Sequence, residues 1–230
     1  MTATFTEQIP QHGLIVSCQA TTGSPLRESM IMALMAESAE LGGAAGLRAN
    51  GTADVAMISS RVDLPLIGIN KLGDPAGVFI TPSVQAALEI VDAGATIIAL
   101  DGTQRPRPDG SSLADQLAMI KAETQVPIMA DVDTVEAGMA ARRAGADVVA
   151  TTLSGYTGTG DGGPGPDLGL VTALAAAVDC PVIAEGRIRD ESEALAALAA
   201  GAYAVVVGSA ITNPVLTTRR FVDRLGTFAS

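Results

Sequence analysis

The sequence has no tryptophan, and its aromatics, four Phe and two Tyr, make up 3% of 230 residues. A core of this size must be built from Ala, Val, Ile and Leu, which favours strands covered by helices on both faces. Histidine occurs once, as His12 ahead of the first apolar run, and cysteine twice, as Cys18 and Cys180. So few soft ligands exclude a zinc cluster, and no metal site or cofactor is signalled. Cysteines so far apart point to a cytoplasmic chain without structural disulfides. No apolar run is long enough to cross a bilayer, and Met1-Thr-Ala-Thr-Phe-Thr-Glu7 lacks the basic-then-apolar order of a leader. Positive charge is scarce as well. The formal net charge of -11 argues against nucleic acid or an anionic membrane surface as partner. An anionic ligand would have to meet positive groups placed locally.

What is abundant is short apolar runs, at Gly13–Cys18, Ala44–Leu47, Leu64–Ile69, Thr96–Leu100, Val126–Ala130, Asp147–Ala150, Pro181–Ala184 and Ala204–Val207. An Ala- and Leu-rich stretch with helical spacing follows each one. Between helix and strand, Leu41-Gly-Gly-Ala44, Asp92-Ala-Gly-Ala95, Arg143-Ala-Gly-Ala146 and Ala200-Gly-Ala202 place a glycine where a left-handed helix cap is needed. Such caps also suit a doubly wound sheet. Eight units in this length instead predict one domain over residues 1–230, a closed, parallel, eight-stranded (β/α)8 or TIM barrel.

Polar residues gather where the runs stop, on the face where barrel sites form. They are Gln19, Arg48, Asn70 and Lys71, Asp101, Asp131, Thr151 and Thr152, and Glu185. Lys71 is one of two lysines; at an apolar barrel mouth it suits a proton base or a Schiff-base amine, or simply a partner for Asp101 or Glu185. Glu185, in Pro181-Val-Ile-Ala-Glu-Gly-Arg187, suits a general acid, since apolar surroundings hold a carboxyl proton. Strands three and seven lie across the ring from each other, so this pair fits an inversion at carbon. Gln19, Arg48 and Asp131 are candidate hydroxyl and amide binders, with Arg48 alternatively neutralising Asp131. Gly186, Arg187, Gly208 and Ser209 are the candidate phosphate cradle, with Arg187 alternatively pairing with Asp190 or Glu191. Two long Gly- and Pro-rich loops, 101–110 and 154–166, belong on the same rim, and the second is a candidate mobile cover.

Six motifs, in order, carry a resemblance: Gly13-Leu-Ile-Val-Ser-Cys-Gln19, Ile67-Gly-Ile-Asn-Lys71, Ala99-Leu-Asp-Gly-Thr-Gln-Arg-Pro-Arg-Pro108, Thr151-Thr-Leu-Ser-Gly-Tyr-Thr157, Val182-Ile-Ala-Glu-Gly-Arg187 and Val207-Gly-Ser-Ala-Ile-Thr212. They resemble the N-acetylmannosamine-6-phosphate 2-epimerases of sialic acid breakdown. The resemblance implies a cofactor-free epimerase that acts on a phosphorylated N-acetylhexosamine at C2. It also implies Lys71 and Glu185 as the proton-transferring pair, Gln19, Arg48 and Asp131 as sugar-holding groups, and Gly186, Arg187, Gly208 and Ser209 as the phosphate cradle. Two positions depart from the family pattern. Thr212-Asn213 stands where an arginine commonly follows the threonine, and Leu72-Gly73 stands where a charged pair often follows the lysine. Another phosphosugar isomerase, a Schiff-base aldolase and a silent sugar-phosphate binder are the competing readings. A homodimer through the apolar C-terminal helix near Phe221 and Leu225 is an expectation of the same kind, the alternative being that this helix covers the barrel.

Overall fold

The computed structural model describes residues 3–158 and 162–227. Eight parallel strands close in chain order into one barrel: β1 (Leu14–Cys18), β2 (Gly46–Asn50), β3 (Leu66–Ile69), β4 (Ile97–Asp101), β5 (Ile128–Asp131), β6 (Val148–Ala150), β7 (Val182–Glu185) and β8 (Ala204–Val207). The ring closes where Leu14, Ile15 and Val16 pair with Val205, Val206 and Val207. A short α1 (Phe5–Gln8) precedes β1. Strands β1 to β7 are then followed in turn by α2 (Ser29–Leu41), α3 (Thr52–Ser59), α4 (Val84–Asp92), α5 (Leu113–Glu123), α6 (Val135–Arg143), α7 (Leu168–Ala177) and α8 (Glu191–Ala199). Two helices, α9 (Ser209–Thr212) and α10 (Pro214–Gly226), follow β8. The TIM barrel expected from the repeating pattern is the observed fold.

Local chemistry marks the helix boundaries. Ser83, Ser112, Thr134, Asp167 and Asp190 each cap a helix by accepting from a backbone N–H in its first turn. At the other ends, Gly94, Gly145 and Gly201 have φ of 107°, 108° and 107°, so the repeated glycine is the left-handed turn its position called for.

Inside the ring, Ile15, Ile67, Ile97, Met129, Ile183 and Val206 belong to one buried cluster. Phe5 and Ile9 seal its N-terminal end, and a Cβ on Gly46 would lie 2.5 Å from Ile9 Cδ1, which explains a glycine in β2. Strand alternation then lifts Ser17, Arg48, Asp131 and Glu185, each two residues beyond an inward position, to the carboxyl end of the barrel.

One boundary changes, and the place of the C-terminal helix is now visible. The second strand does not stop at Arg48 but runs from Gly46 to Asn50, because the buried guanidinium finds carboxylates inside the ring and the charge need not leave it. Helix α10 packs against α9, contributes Leu216, Thr217, Arg219, Arg220 and Asp223 to the wall of the pocket at the barrel mouth, buries none of its residues, and leaves Phe221, Val222 and Leu225 more than half exposed. Among the described residues no helix is long and apolar enough to cross a membrane.

Gly68 sets how closely α4 approaches the sheet. A Cβ there would lie 2.1 Å from Ile90 Cγ2 and 2.7 Å from Ala95 Cβ. Gly68→Ala is expected to lose about 1–3 kcal/mol through overpacking. Urea unfolding with an unchanged m-value measures it, and partial recovery in Gly68→Ala combined with Ile90→Ala assigns the cause.

Candidate active site

A pocket of about 710 Å³ opens at the carboxyl ends of the strands, and Lys71, Glu185, Gln19, Gly186, Gly208 and Ser209 all lie on its wall. Lys71 follows β3 on a connection held in place from several sides. Its backbone N–H donates to Asn50 Oδ1 at 2.9 Å, and Leu72 and Thr81 N–H groups bond Phe79 and Asn70 carbonyls, each at 2.9 Å. Thr81, β-branched yet at φ 47°, is fixed by its Oγ1 bond to the Ala99 carbonyl and by Gln116 on its own carbonyl. The Lys71 ammonium donates to Gln19 Oε1 at 2.8 Å, and Gln19 Nε2 donates to Ser17 Oγ at 2.9 Å. Although the Lys71 stem reaches solvent, burial of the ammonium lowers its pKa, Arg48 lowers it further, and Glu185 and Asp131 oppose the shift.

Behind the wall sits Arg48, 1% exposed. Its Nη1 and Nη2 donate to the two oxygens of Asp131 at 3.0 and 2.5 Å, and Nη1 also donates to Glu185 Oε2 at 2.6 Å. Nε is buried without a hydrogen-bond partner. Burial opposes the charge on Arg48, but Asp131 and Glu185 outweigh it and its pKa rises. Glu185 moves the other way for a carboxylate. Burial is the main cause that raises its pKa to about 7, Arg48 and Lys71 pull it down, and Asp131 pushes it up. A carboxyl that can hold or release its proton near neutrality therefore shares a pocket with an amine whose pKa is lowered.

The structure sorts the expected site residues. Lys71, Glu185 and Gln19 converge as anticipated. Arg48 and Asp131, candidates for holding sugar hydroxyls, are 1% and 0% exposed and bonded to each other, the pairing weighed as the other reading of Arg48, because neither charge is tolerable inside the barrel alone. Gly186, at φ 112°, Gly208, the residue before α9, and Ser209 form one end of the pocket. Arg187 lines it too, but its guanidinium pairs with neither Asp190 nor Glu191. Nε and Nη1 donate to the carbonyls of Gly165 and Ser154 at 2.8 and 2.5 Å, and the group lies 5.5 Å from the Tyr156 ring centre. These bonds hold Arg187 at φ 58° and tie the 154–166 connection to β7. Residues 159–161 of the expected cover lie outside the described residues.

Other strand-end polar groups serve the frame. Asp101 accepts from Thr103 and Arg105, shaping the loop after β4, and Thr151 exchanges bonds with the backbone of Glu185. Asn70 donates to Glu89. Sequence reading missed Arg189, Arg219 and Arg220, which also line the pocket, the last two because they come from α10, outside the repeating unit. It also missed Asn213 as the cap of α10, accepting from Leu216 N–H at 3.0 Å, and Thr152 as the link between Asp131 and Glu185.

Fold and site together define a class: a (β/α)8 barrel carrying an amine and a carboxyl from opposite strands in one cation-lined pocket. Residues 32–227 match the NanE family, described as "Putative N-acetylmannosamine-6-phosphate epimerase", and the chain belongs to that family. It is 48% identical over 215 residues to a protein of Cutibacterium acnes, with 93% of each chain covered. It is 46% identical over 214 residues to one of Caldanaerobacter subterraneus, covering 92% of this chain and 90% of that one. Both relatives carry the name "Putative N-acetylmannosamine-6-phosphate 2-epimerase". The solved N-acetylmannosamine-6-phosphate 2-epimerase from Clostridium perfringens superposes with a TM-score of 0.89 at 42% identity over 93% of each chain.

Removing the central cation tests how the site is held. Arg48→Met leaves two carboxyl groups buried without it and is expected to cost about 3–5 kcal/mol. Arg48→Lys should recover only part of this, since an ammonium lacks the planar fork that reaches both acids. A loss below about 1 kcal/mol in chemical denaturation would show that the cluster is not held by Arg48.

Proposed function

We propose that this chain interconverts N-acetylmannosamine 6-phosphate and N-acetylglucosamine 6-phosphate by inverting C2 of the ring-opened sugar. The observation that carries this reading is an amine and a carboxyl, Lys71 and Glu185, lining one pocket from strands half a barrel apart. Ring opening exposes the C1 aldehyde, beside which the C2–H bond is acidic. One group takes the C2 proton, the electron pair of that bond moves toward C1, and the carbonyl oxygen becomes an enolate oxygen. The other group then returns a proton to the opposite face of C2. Nothing is oxidised or reduced, so no redox cofactor is required, and one residue gains the proton the other gives up.

Gln19, already bonded to Lys71, is placed to touch the sugar, while Arg48 and Asp131 act from behind Glu185. Gly186, Gly208 and Ser209 receive the phosphate, with Arg187 shaping that end through the loop it holds. Charge supports an anionic substrate. In a chain of net charge -11, the described pocket wall carries Lys71, Arg105, Arg187, Arg189, Arg219 and Arg220 against only Glu185 and Asp223. Arg189, Arg219 and Arg220 supply the cation that Asn213, occupied as a helix cap, does not. Free Cys18 and Cys180, with burial pushing the Cys18 thiol up to about 12, support a chain that works reduced, in the cytoplasm.

The apolar side of α10 supports a homodimer of these single-domain barrels. Sedimentation at micromolar concentration should give twice the chain mass, and Phe221→Glu should return a monomer; a monomeric wild type removes this expectation. For the reaction, proton magnetic resonance in deuterium oxide should show deuterium entering C2 of the recovered hexosamine phosphate. Lys71→Met should cut epimerisation by at least about 100-fold. Borohydride trapping of a lysine adduct without C2 exchange would move the site to Schiff-base aldolase chemistry.

A further inference from the structure

Strand β2 ends where its neighbour β3 still has a bond to make. Asn50 pairs with Ile69, and the Gly51 N–H donates to the Ile69 carbonyl at 2.8 Å. In a parallel ladder the next bond runs from the Lys71 N–H to the Gly51 carbonyl. That carbonyl is taken. Gly51, at φ 85°, turns the chain into α3 and accepts from the Val55 N–H at 3.0 Å. The Asn50 side chain fills the gap, its Oδ1 accepting from the Lys71 N–H at 2.9 Å. A carboxamide offers the same acceptor as a peptide group, so the ladder gains one more bond through a side chain.

This bond falls where the chain changes partner. Lys71 pairs antiparallel with Ile80, and the pair is flanked by bonds from Thr81 N–H to the Asn70 carbonyl and from Leu72 N–H to the Phe79 carbonyl. The Lys71 N–H therefore points away from Ile80 and toward β2, where Asn50 meets it. Residues opposed in such a pair project to the same face, and Ile80 belongs to the buried cluster inside the barrel. Lys71 is thereby sent into the pocket, where its ammonium reaches Gln19 at 2.8 Å. The N–H groups of Asn70 and Leu72 are both held by residues 79–81, so Asn50 fixes the residue between them from the other side. Asn50 itself is not among the described residues of the pocket wall.

We propose that Asn50 is a positioning residue whose side-chain oxygen fixes the Lys71 peptide and so keeps the amine aimed at the reacting carbon. Its place in the reaction rests on the reading of Lys71 as a group that moves the C2 proton; its hold on the Lys71 backbone does not.

Lys71 and Lys121 are the two lysines of the chain, so protein labelled with nitrogen-15 lysine gives two lysine amide signals in magnetic resonance. Asn50→Leu, which keeps the size and removes the acceptor, should speed hydrogen exchange at the Lys71 amide at least about tenfold. The Lys121 amide, inside α5, should keep its rate and so shows that the barrel is assembled. Asn50→Asp, which keeps an oxygen at the same reach, should restore slow exchange at Lys71. Crystal structures of the same variants should place Lys71 Nζ beyond hydrogen-bond reach of Gln19 in Asn50→Leu and within it in Asn50→Asp. An unchanged Lys71 amide rate or an unchanged amine position in Asn50→Leu overturns the proposal.

Deuterium entry at C2 of N-acetylmannosamine 6-phosphate then separates positioning from binding. Asn50→Leu should lower kcat at least about tenfold while KM stays within about threefold, and Asn50→Asp should recover most of the loss. An unchanged kcat, with or without a raised KM, overturns the positioning role. A wild-type protein that exchanges no C2 hydrogen overturns the epimerase reading, and the amide rate and amine position then judge Asn50 alone.

Discussion

The site depends on one buried guanidinium. Arg48 could not remain inside the barrel without Asp131 and Glu185, since the desolvation of a lone cation costs several kcal/mol. Satisfying it ties β2, β5 and β7 together at the level where the site begins. It also divides two similar residues by role. Asp131 spends both oxygens on Arg48 and leaves the pocket wall, whereas Glu185 is bonded through Oε2 and still faces the cavity. Arg48 acts on the amine as well, because after burial it is the next cause that lowers the pKa of Lys71. One cation thus biases both the Lys71 amine and the Glu185 carboxyl.

The loops around this cluster are held by bonds that constrain unfavourable backbone. Thr81 and Arg187 occupy left-handed conformations that non-glycine residues seldom adopt. Thr81 is fixed from β4 and α5, Arg187 by carbonyls of the 154–166 connection. Such strain persists where neighbours over-determine it, and here it flanks Lys71 on one side and the glycine end of the pocket on the other. Lys71 is placed as much by the backbone bond to Asn50 as by β3 itself.

Long-range electrostatics completes the arrangement. The exterior of an acidic chain repels anions, yet the pocket gathers cations from the loops after β3, β4 and β7 and from α10. That excess of positive side chains on the described pocket wall favours an anionic ligand there. Helix α10 therefore has two faces with different work. Arg219 and Arg220 line the pocket, while Phe221, Val222 and Leu225 remain exposed on the same helix.

Eight apolar runs with recurrent glycine caps were enough to specify the barrel, because strand alternation and helix termination are local consequences of residue type. The same alternation made Lys71 and Glu185 legible as residues at opposite strand ends, and the six motifs made the family legible. What local pattern could not show was direction and partnership. Arg48 reads equally as an oxygen anchor or as a partner for Asp131 until Asp131 and Glu185, 83 and 137 positions away, are both seen to meet it. Arg187 reads as a strand-end cation, and its bonds from Nε and Nη1 to the Gly165 and Ser154 carbonyls appear only in the fold. Thr152 has no signal in sequence beyond being a polar residue after a strand. The sequence by itself determined the fold, the elements and the chemical groups delivered to one rim, since those follow from periodicity and capping. Only the tertiary structure decided which acid faces the pocket and which cation supports it, because a buried charge takes its role from partners that folding alone brings within hydrogen-bond reach.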